Sequence, residues 1–314
     1  MPRCWTILGL GAVLVLQGAA AEAADPDACK AVRFSDVGWT DITATTALAS
    51  VILEGLGYEP SAEVLAVPVT YASLKNKDID VFLGNWMPSM AADIEPYAKD
   101  GSVETVRANL EGAKYTLAVP TYTAEAGVKG FADIAKIADE LDDKIYGIEP
   151  GNDGNRLIQD IIDKKAFGLG DFALVESSEQ GMLAQVARAV AAKEPIVFLA
   201  WEPHPMNVKF DLSYLEGGDD YFGPNFGGAT VYTNVRAGYA GECPNVGRVL
   251  SNLSFTLPME SEVMGAILDD GKEPTEAAAE WLKANPAVLD GWLDGVTTLA
   301  GEPGLAAVKA HLGL

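Results

Sequence analysis

The chain is poor in the residues and motifs on which most hydrolases depend. Among its 314 residues it has only two histidines, His204 and His311. They do not have the short spacing of a histidine metal site, and no Gly-x-Ser-x-Gly motif is present to carry a nucleophilic serine. Histidine-based catalysis is therefore disfavoured. A reaction based on carboxylates stays open, because acidic residues are abundant.

Positive charge is also scarce. The chain has 22 Lys and Arg residues against 45 Asp and Glu residues, and its formal net charge is −23. So acidic a balance argues against nucleic acids and against anionic membrane surfaces as partners. It is compatible with a cationic ligand and equally with simple solubility, and charge alone does not separate the two.

Long apolar runs are absent beyond the N-terminal segment. The run over residues 5–17 and the Ala-rich stretch after it predict a secretory signal peptide over residues 1–24, cut near Ala23 or Ala24. No later run approaches the length that spans a bilayer. No Leu-x-x-Cys motif precedes Cys29, so we expect no lipid anchor. An exported, soluble protein is expected.

Cysteine is rare as well. Of the three cysteines, Cys4 falls in the predicted signal peptide, which leaves Cys29 and Cys243. An even pair in an oxidising compartment favours a disulfide. Two free, buried thiols remain the alternative.

Apolar strand patterns alternate with helical patterns along the chain. Strands are predicted over 32–37, 63–69, 80–84, 114–119, 144–148, 196–200 and 229–235; helices over 42–53, 71–77, 131–141, 156–162 and 182–192, with a helical tail over 256–314. This alternation predicts βαβ units and a largely parallel sheet. The length suits two α/β lobes. No internal repeat is present.

Three tryptophans, Trp39, Trp86 and Trp201, follow apolar strand patterns. Taken alone, the turn over residues 38–41 favours a packed Trp39 and a helix-capping Asp41. Three rings delivered to the same rim of a sheet are harder to explain as core filling. Rings that face one another form a cage that suits a quaternary ammonium ion, which has no N–H to donate.

Four motifs and the predicted signal peptide together resemble a known family. The motifs are Trp39-Thr40-Asp41, Leu83-Gly84-Asn85-Trp86-Met87-Pro88, Glu149-Pro150-Gly151-Asn152 and Ala200-Trp201-Glu202-Pro203-His204. They resemble those of the quaternary-amine-binding proteins of ABC importers, a group that includes the glycine-betaine-binding proteins. The resemblance extends over nearly the whole chain that follows the signal peptide.

This resemblance implies a two-lobed periplasmic binding protein of type II-like α/β fold, each lobe a central, mostly parallel sheet flanked by helices. The first lobe would join residues 25–112 to 228–314, and the second would be residues 113–227. The implied protein is a monomer that closes around its ligand and delivers it to an inner-membrane permease and its ATPase. No enzymatic activity, cofactor or metal is implied.

The resemblance also implies the ligand-binding residues and the disulfide. They are Trp39, Trp86, Tyr115 and Trp201 as the cage, Asp41 and Asn152 as the groups that hold a ligand hydroxyl, and Cys29 with Cys243 as the disulfide. Asn155 is the alternative to Asn152. Asp41 stays open between capping the helix, contacting the ligand, or both.

The chemistry of Asp41 bears on the ligand. A carboxylate in the cavity accepts a hydrogen bond from an alcohol and repels an acid. No Lys, Arg or His lies in the turns of Trp39 or Trp86, and His204 is expected to be a surface or packing residue. Choline is therefore the expected ligand. Glycine betaine or another quaternary amine, a choline-ester hydrolase and, less favoured, a structural envelope protein are the alternatives.

Overall fold

The computed structural model describes Met1 and residues 25–314. Nearly all of the predicted signal peptide, residues 1–24, lies outside the described residues. Within the described part, helices flank one continuous sheet, so the predicted α/β class is confirmed. No helix in that part is both long and apolar enough to cross a membrane.

The secondary structure alternates along most of the chain. The strands are β1 (Ala31–Asp36), β2 (Glu59–Val64), β3 (Val81–Met87), β4 (Val103–Pro120), β5 (Lys144–Tyr146), β6 (Ala173–Val175), β7 (Phe198–Glu202), β8 (Leu212–Tyr214) and β9 (Gly228–Arg236). The α-helices are α1 (Thr40–Gly55), α2 (Val67–Asn76), α3 (Ala91–Lys99), α4 (Thr121–Glu125), α5 (Phe131–Ile134), α6 (Asp153–Asp163), α7 (Glu179–Ala192), α8 (Met206–Lys209), α9 (Asp219–Phe222), α10 (Pro224–Gly227), α11 (Tyr239–Glu242), α12 (Pro244–Asn252), α13 (Leu257–Leu268), α14 (Pro274–Ala284), α15 (Val288–Trp292) and α16 (Gly304–Leu312). Short 3-10 turns cover Asp27–Cys29, Ala135–Ile137, Asp139–Leu141 and Ala166–Gly168.

The sheet has the strand order β2-β1-β3-β9-β4-β7-β5-β6, with β8 paired to β4. At one end β1 is parallel to β2 and β3, and at the other end β5 is parallel to β6 and β7. The central strands β9 and β4 are antiparallel to their neighbours and join the two ends. We call β2-β1-β3 the first half of the sheet and β7-β5-β6 the second half.

Strand β4 is the longest strand and runs from one half to the other. It pairs with β9 between Val103 and Lys114 and with β7 between Lys114 and Ala118. Its register shifts between Leu110 and Ala113, where Gly112 has a φ of 79°. The predicted lobe boundary at residue 112 falls on this irregularity, and the predicted return at residue 228 is where β9 begins. The boundaries themselves stay a prediction.

Helix α1 positions the first of the tryptophan turns. Gly38, with a φ of 83°, turns the chain out of β1 and into the helix. Most side chains of α1 are buried, because the helix packs beneath α13, α14 and α16 as well as on the sheet. A helix buried on nearly all sides needs no charged face, and apart from Asp41 and Glu54 this helix contains only apolar residues, Gly, Thr and Ser. Trp39 and Asp41 are thereby held at the carboxyl end of β1.

Some predicted elements were wrong in detail. Residues 67–69 begin helix α2 instead of ending a strand, because Pro68 lacks an N–H for a strand ladder and suits a first helical turn. The single helix predicted over 131–141 is broken into α5 and two 3-10 turns. The first half of β4 was not predicted as a strand, because polar and charged residues dominate it.

The chain contains the predicted disulfide. Cys29, in the first 3-10 turn, is joined to Cys243, the residue before α12, with the Cα atoms 5.7 Å apart. Both cysteines are buried. The bond ties the beginning of the described chain to the segment that follows β9.

A buried carboxylate joins the start of β3 to β1 and to β9. Asp80, which directly precedes β3, accepts hydrogen bonds from the backbone N, Nε and Nη2 of Arg33 in β1 and from Nε of Arg236 in β9. Burial opposes ionisation of Asp80, but the bonds from Arg33 and Arg236 outweigh it and lower the pKa of Asp80. The ionised form therefore stabilises the fold at neutral pH, and this contribution is lost as the pH falls through the lowered pKa.

Asp80→Asn should lower the free energy of unfolding by about 3 kcal/mol, because two guanidinium groups lose a buried charged partner. The matched control is Asp100→Asn, which removes an exposed partner of Lys75 and should leave the unfolding midpoint unchanged. Urea denaturation at neutral pH measures both. Equal stability of Asp80→Asn and the wild type would contradict this role.

Candidate ligand-binding site

A cavity with about 230 Å³ of empty volume lies between the two halves of the sheet. It is lined by Trp39, Asp41, Trp86, Tyr115, Ile148, Asp153 and Trp201. Five of the six predicted ligand-binding residues are in this lining, and Asn152 is not. The lining side chains leave little open space between them, so the cavity suits only a small molecule.

Aromatic rings form most of the cavity wall. The ring centroids of Trp86 and Tyr115 are 5.8 Å apart, and those of Tyr115 and Trp201 are 6.5 Å apart. The planes are inclined by 50° and 74°, so the rings do not stack flat on one another. Trp86 and Trp201 lie in the last residues of β3 and β7, inside the strands and not just beyond them as predicted.

Trp39 completes the wall from the first half of the sheet. It is the N-cap residue of α1, and its Nε1 donates to Oε1 of Glu149 at 2.8 Å. Glu149 follows β5, in the second half of the sheet. The indole is therefore held by a hydrogen bond that crosses the cavity edge.

Tyr115, in β4, connects the cage to the N-terminus of α6. Its hydroxyl donates to Oδ1 of Asn152 at 3.0 Å, and the same oxygen accepts from the backbone N of Asn155 at 3.0 Å. Gly154, in the first turn of α6, has no Cβ, and a Cβ at that position would collide with the Tyr115 hydroxyl. Asn152 thus caps α6 and orients a cage ring.

The side chain of Asn155 forms hydrogen bonds that stabilise the turn between β5 and α6. Its Oδ1 accepts from the backbone N of Ile148, and its Nδ2 donates to Ile148 O, Glu149 O and Glu176 Oε1. Of the two predicted alternatives, Asn152 is the one bonded to a cage ring. A direct contact between Asn152 and a ligand remains a prediction.

Asp153 is the lining residue that the sequence analysis missed. It is the first residue of α6 and is fully buried. Its Oδ1 accepts from Nδ2 of Asn152 at 3.3 Å, and its Oδ2 has no hydrogen-bond partner within the described residues. A signal was present, because Asp153 directly follows the motif Glu149-Pro150-Gly151-Asn152, but only the neighbouring amides Asn152 and Asn155 were considered for the site.

Asp41 lies in the first turn of α1 and also faces the cavity. Its Oδ2 accepts from Nε1 of Trp86 at 3.2 Å, whereas Oδ1 has no partner in the described part of the chain. The side chain is 1% exposed. A carboxylate in a first helical turn interacts favourably with the helix dipole. Asp41 is not the N-cap of α1 that the capping alternative predicted, because the helix begins at Thr40 and Trp39 is its N-cap. The Asp41 carboxyl group instead lies near the helix N-terminus and leaves one oxygen unpaired at the cavity.

Asp41 and Asp153 in the lining, and Glu149 beside it, are acids whose ionisation is opposed by burial. Burial first, and then the carboxylate of Glu179, raises the pKa of Asp41 well above its ordinary value. Burial raises the pKa of Asp153 to about 6 and that of Glu149 to about 7. No Lys, Arg or His is among the residues that the described chain contributes to the lining. A bound cation would stabilise the ionised carboxylates.

His204 is buried and packs behind the cavity wall, in agreement with the packing role considered for it. Its ring centroid is 4.8 Å from that of Trp201. Nδ1 accepts from the backbone N of Met206 at 2.9 Å, so the proton lies on Nε2, which is 3.1 Å from Oε1 of Glu179. The ring therefore offers no positive charge to a ligand carboxylate.

A small, acidic cavity with aromatic walls, enclosed between the two ends of a sheet, defines a two-lobed binding protein for a small organic ligand. The family model for the substrate-binding domain of ABC-type glycine betaine transport systems (OpuAC) matches residues 30–284. The chain belongs to this family, and the resemblance drawn from its sequence motifs is confirmed.

Curated relatives of the chain include two proteins of known organism. The chain is 60% identical over 129 residues to the uncharacterized protein ORF1 of Chromohalobacter salexigens, over 41% of this chain and 83% of that protein. It is 32% identical over 166 residues to the glycine betaine/carnitine transport binding protein GbuC of Listeria monocytogenes. That match spans 53% of this chain and about half, 54%, of the Listeria protein.

Solved structures are similar over most of the chain. An ABC-transporter choline-binding protein in complex with choline superposes with a TM-score of 0.91 and 68% identity, over 92% of this chain and 100% of that one. Its unliganded, semi-closed form gives a TM-score of 0.84. Lactococcal OpuAC, closed on glycine betaine, gives 0.76 at 27% identity, over 83% of this chain and 98% of that one.

The buried acids predict a pH dependence for cation binding. The affinity for tetramethylammonium, the simplest quaternary cation, should fall about tenfold between about pH 8 and pH 5, because protonation of Asp153 and Glu149 removes the charge that attracts it. Isothermal titration calorimetry at several pH values measures this affinity. In the variant Asp153→Asn, the change in affinity with pH should be smaller than in the wild type. A constant affinity, or one that rises on acidification, would contradict this account.

Proposed function

We propose that this chain is the choline receptor of an ABC importer. The observation that carries the proposal is the pairing of aromatic walls with two unpaired carboxylate oxygens, on Asp41 and Asp153, in one closed cavity. Choline matches both features, since it has a quaternary ammonium group for the rings and a hydroxyl that donates to a carboxylate.

The rings would supply most of the affinity. Each cation–π contact contributes roughly 0.5–2 kcal/mol, with the larger values in desolvated sites. Four rings (Trp39, Trp86, Tyr115 and Trp201) together with burial of the methyl groups bring the total into the range of about −8 kcal/mol that a micromolar complex requires. The attraction of the ionised carboxylates for the ammonium group adds to this sum.

The polar end of choline would lie at the acids. We assign its hydroxyl as a donor to Asp41 Oδ1, the unpaired oxygen of that carboxyl group. Asp153, and Asn152 through its hydrogen bond with Tyr115, would lie beside the same hydroxyl. Glycine betaine is the alternative ligand, supported by the family and by the glycine betaine complex of lactococcal OpuAC. Its carboxylate would face Asp41 and Asp153, and the described cavity lining has no basic side chain to offset the repulsion.

The protein would act by closing, without chemistry. Trp39, Asp41 and Trp86 come from the proposed first lobe, residues 25–112 and 228–314, and Trp201 and Asp153 from the proposed second lobe, residues 113–227. A ligand that contacts both lobes stabilises the closed state relative to the open one. The function is that of a receptor and not of an enzyme, so acetylcholine incubated with the purified protein should remain intact.

The cellular setting follows from the family role. We propose that residues 1–24 export the chain and that it works in the periplasm as a monomer. Its partners would then be the permease and ATPase subunits of the importer, to which a closed, loaded receptor is delivered. The family membership and the disulfide between Cys29 and Cys243, a bond typical of exported proteins, support this setting.

The ligand preference is the first test. Calorimetry at neutral pH should show tight binding of choline and binding of glycine betaine that is at least about a hundredfold weaker, because only the latter places a like charge beside buried carboxylates. Carnitine and proline complete the panel. Equal or tighter binding of glycine betaine would refute the choline assignment.

The contribution of a single ring is the second test. Trp201→Ala should raise the dissociation constant for choline more than about fivefold, since it removes a cation–π contact worth about 1 kcal/mol or more. Trp281→Ala is the matched control, because Trp281 lies in α14, donates to Glu262 and is absent from the cavity lining. Unchanged affinity in Trp201→Ala, with the fold intact by circular dichroism, would remove Trp201 from the site.

A further inference from the structure

Glu179 is a buried carboxylate that links the two halves of the sheet beside the cavity. It is the first residue of α7, and it holds the turn at the start of α1. Its Oε2 accepts from the backbone N of Thr40 at 2.8 Å, and its Oε1 accepts from Thr40 Oγ1 at 2.6 Å. Thr40 lies between two cavity-lining residues, Trp39 and Asp41. The position of Glu179 thus bears directly on one wall of the cavity.

The same carboxylate also reaches the opposite wall. Oε1 of Glu179 is 3.1 Å from Nε2 of His204, whose ring packs edge-on against Trp201. Thr40, Glu179 and His204 are 4%, 1% and 3% exposed, so water does not compete for these bonds. Glu179 therefore connects the turn that carries Trp39 and Asp41 to His204, the residue that packs against Trp201.

Other polar contacts between the predicted lobes are more exposed. The ion pair of Lys209 with Asp269 has side chains 57% and 44% exposed, and exposed pairs contribute little to stability. By contrast, hydrogen bonds to a buried carboxylate are short and strong, and an unpaired buried partner is costly. Opening the cavity must break the bonds of Glu179 to Thr40 in a site from which water is excluded.

We propose that Glu179 is a positioning residue for ligand capture, which locks the turn of Thr40 against the wall of Trp201 when the two lobes close. It does not contact the ligand in this role. Its effect falls on the lifetime of the closed complex, because the bonds to Thr40 are made after the ligand enters and must break before it leaves. The inference rests on the proposed function, since it concerns closure around the same cavity.

The test compares variants of Thr40 that differ by one group. Thr40→Val removes the hydroxyl and keeps the shape, whereas Thr40→Ser keeps the hydroxyl. The rate of choline dissociation, followed by stopped-flow tryptophan fluorescence, should rise about tenfold in Thr40→Val and stay within about twofold of wild type in Thr40→Ser. Glu179→Gln should also speed dissociation, and adding Thr40→Val to it should produce less than the product of the two single effects.

Lys209→Gln is the matched control, because it breaks an exposed contact between the predicted lobes and should leave the rate unchanged. Wild-type protein that fails to bind choline would refute the proposed function. Wild-type protein that binds choline, with Thr40→Val dissociating as slowly as Thr40→Ser, would overturn the role of Glu179 and leave the choline assignment standing.

Discussion

Carboxyl groups buried in a cavity whose described lining holds no basic residue are the constraint on which the site depends. Desolvation disfavours the charged form of Asp41 and Asp153, and each keeps one oxygen unpaired among the described residues. Such groups are stabilised either by protonation or by a cation placed close to them. The aromatic walls favour a cation whose charged end needs no hydrogen-bond acceptor. Charge and shape together thus point to a quaternary ammonium ligand.

The fold brings these groups together from distant parts of the chain. The long strand β4 carries Tyr115 across the sheet, while β3 and β7 end in Trp86 and Trp201 on either side of it. Bonds that join the two halves, from Trp39 to Glu149 and from Thr40 to Glu179, exist only when the halves approach each other. The proposed function couples ligand binding to closure through the same turn at the start of α1.

Much of this arrangement could be predicted from the sequence, because strands that end in tryptophan leave a local signature. The predictions failed for residues whose role depends on a contact with a distant part of the chain or on the position at which a helix begins. Asp153 was missed because the predicted start of α6 fell three residues late, at Arg156, which hid its place in the first turn. Glu179 was missed because its partner Thr40 is 139 residues away, and no local pattern reports that pairing.

The most direct test of the account is a crystal structure of this protein with choline. We expect the quaternary ammonium group of choline to lie within about 6 Å of the ring centroids of Trp39, Trp86, Tyr115 and Trp201, as cation–π contacts require. We also expect the choline hydroxyl to donate a hydrogen bond to Asp41. The bond between Thr40 and Glu179 should also be intact in that complex. Choline bound outside the aromatic walls, or with its hydroxyl turned away from the acids, would contradict the central claim.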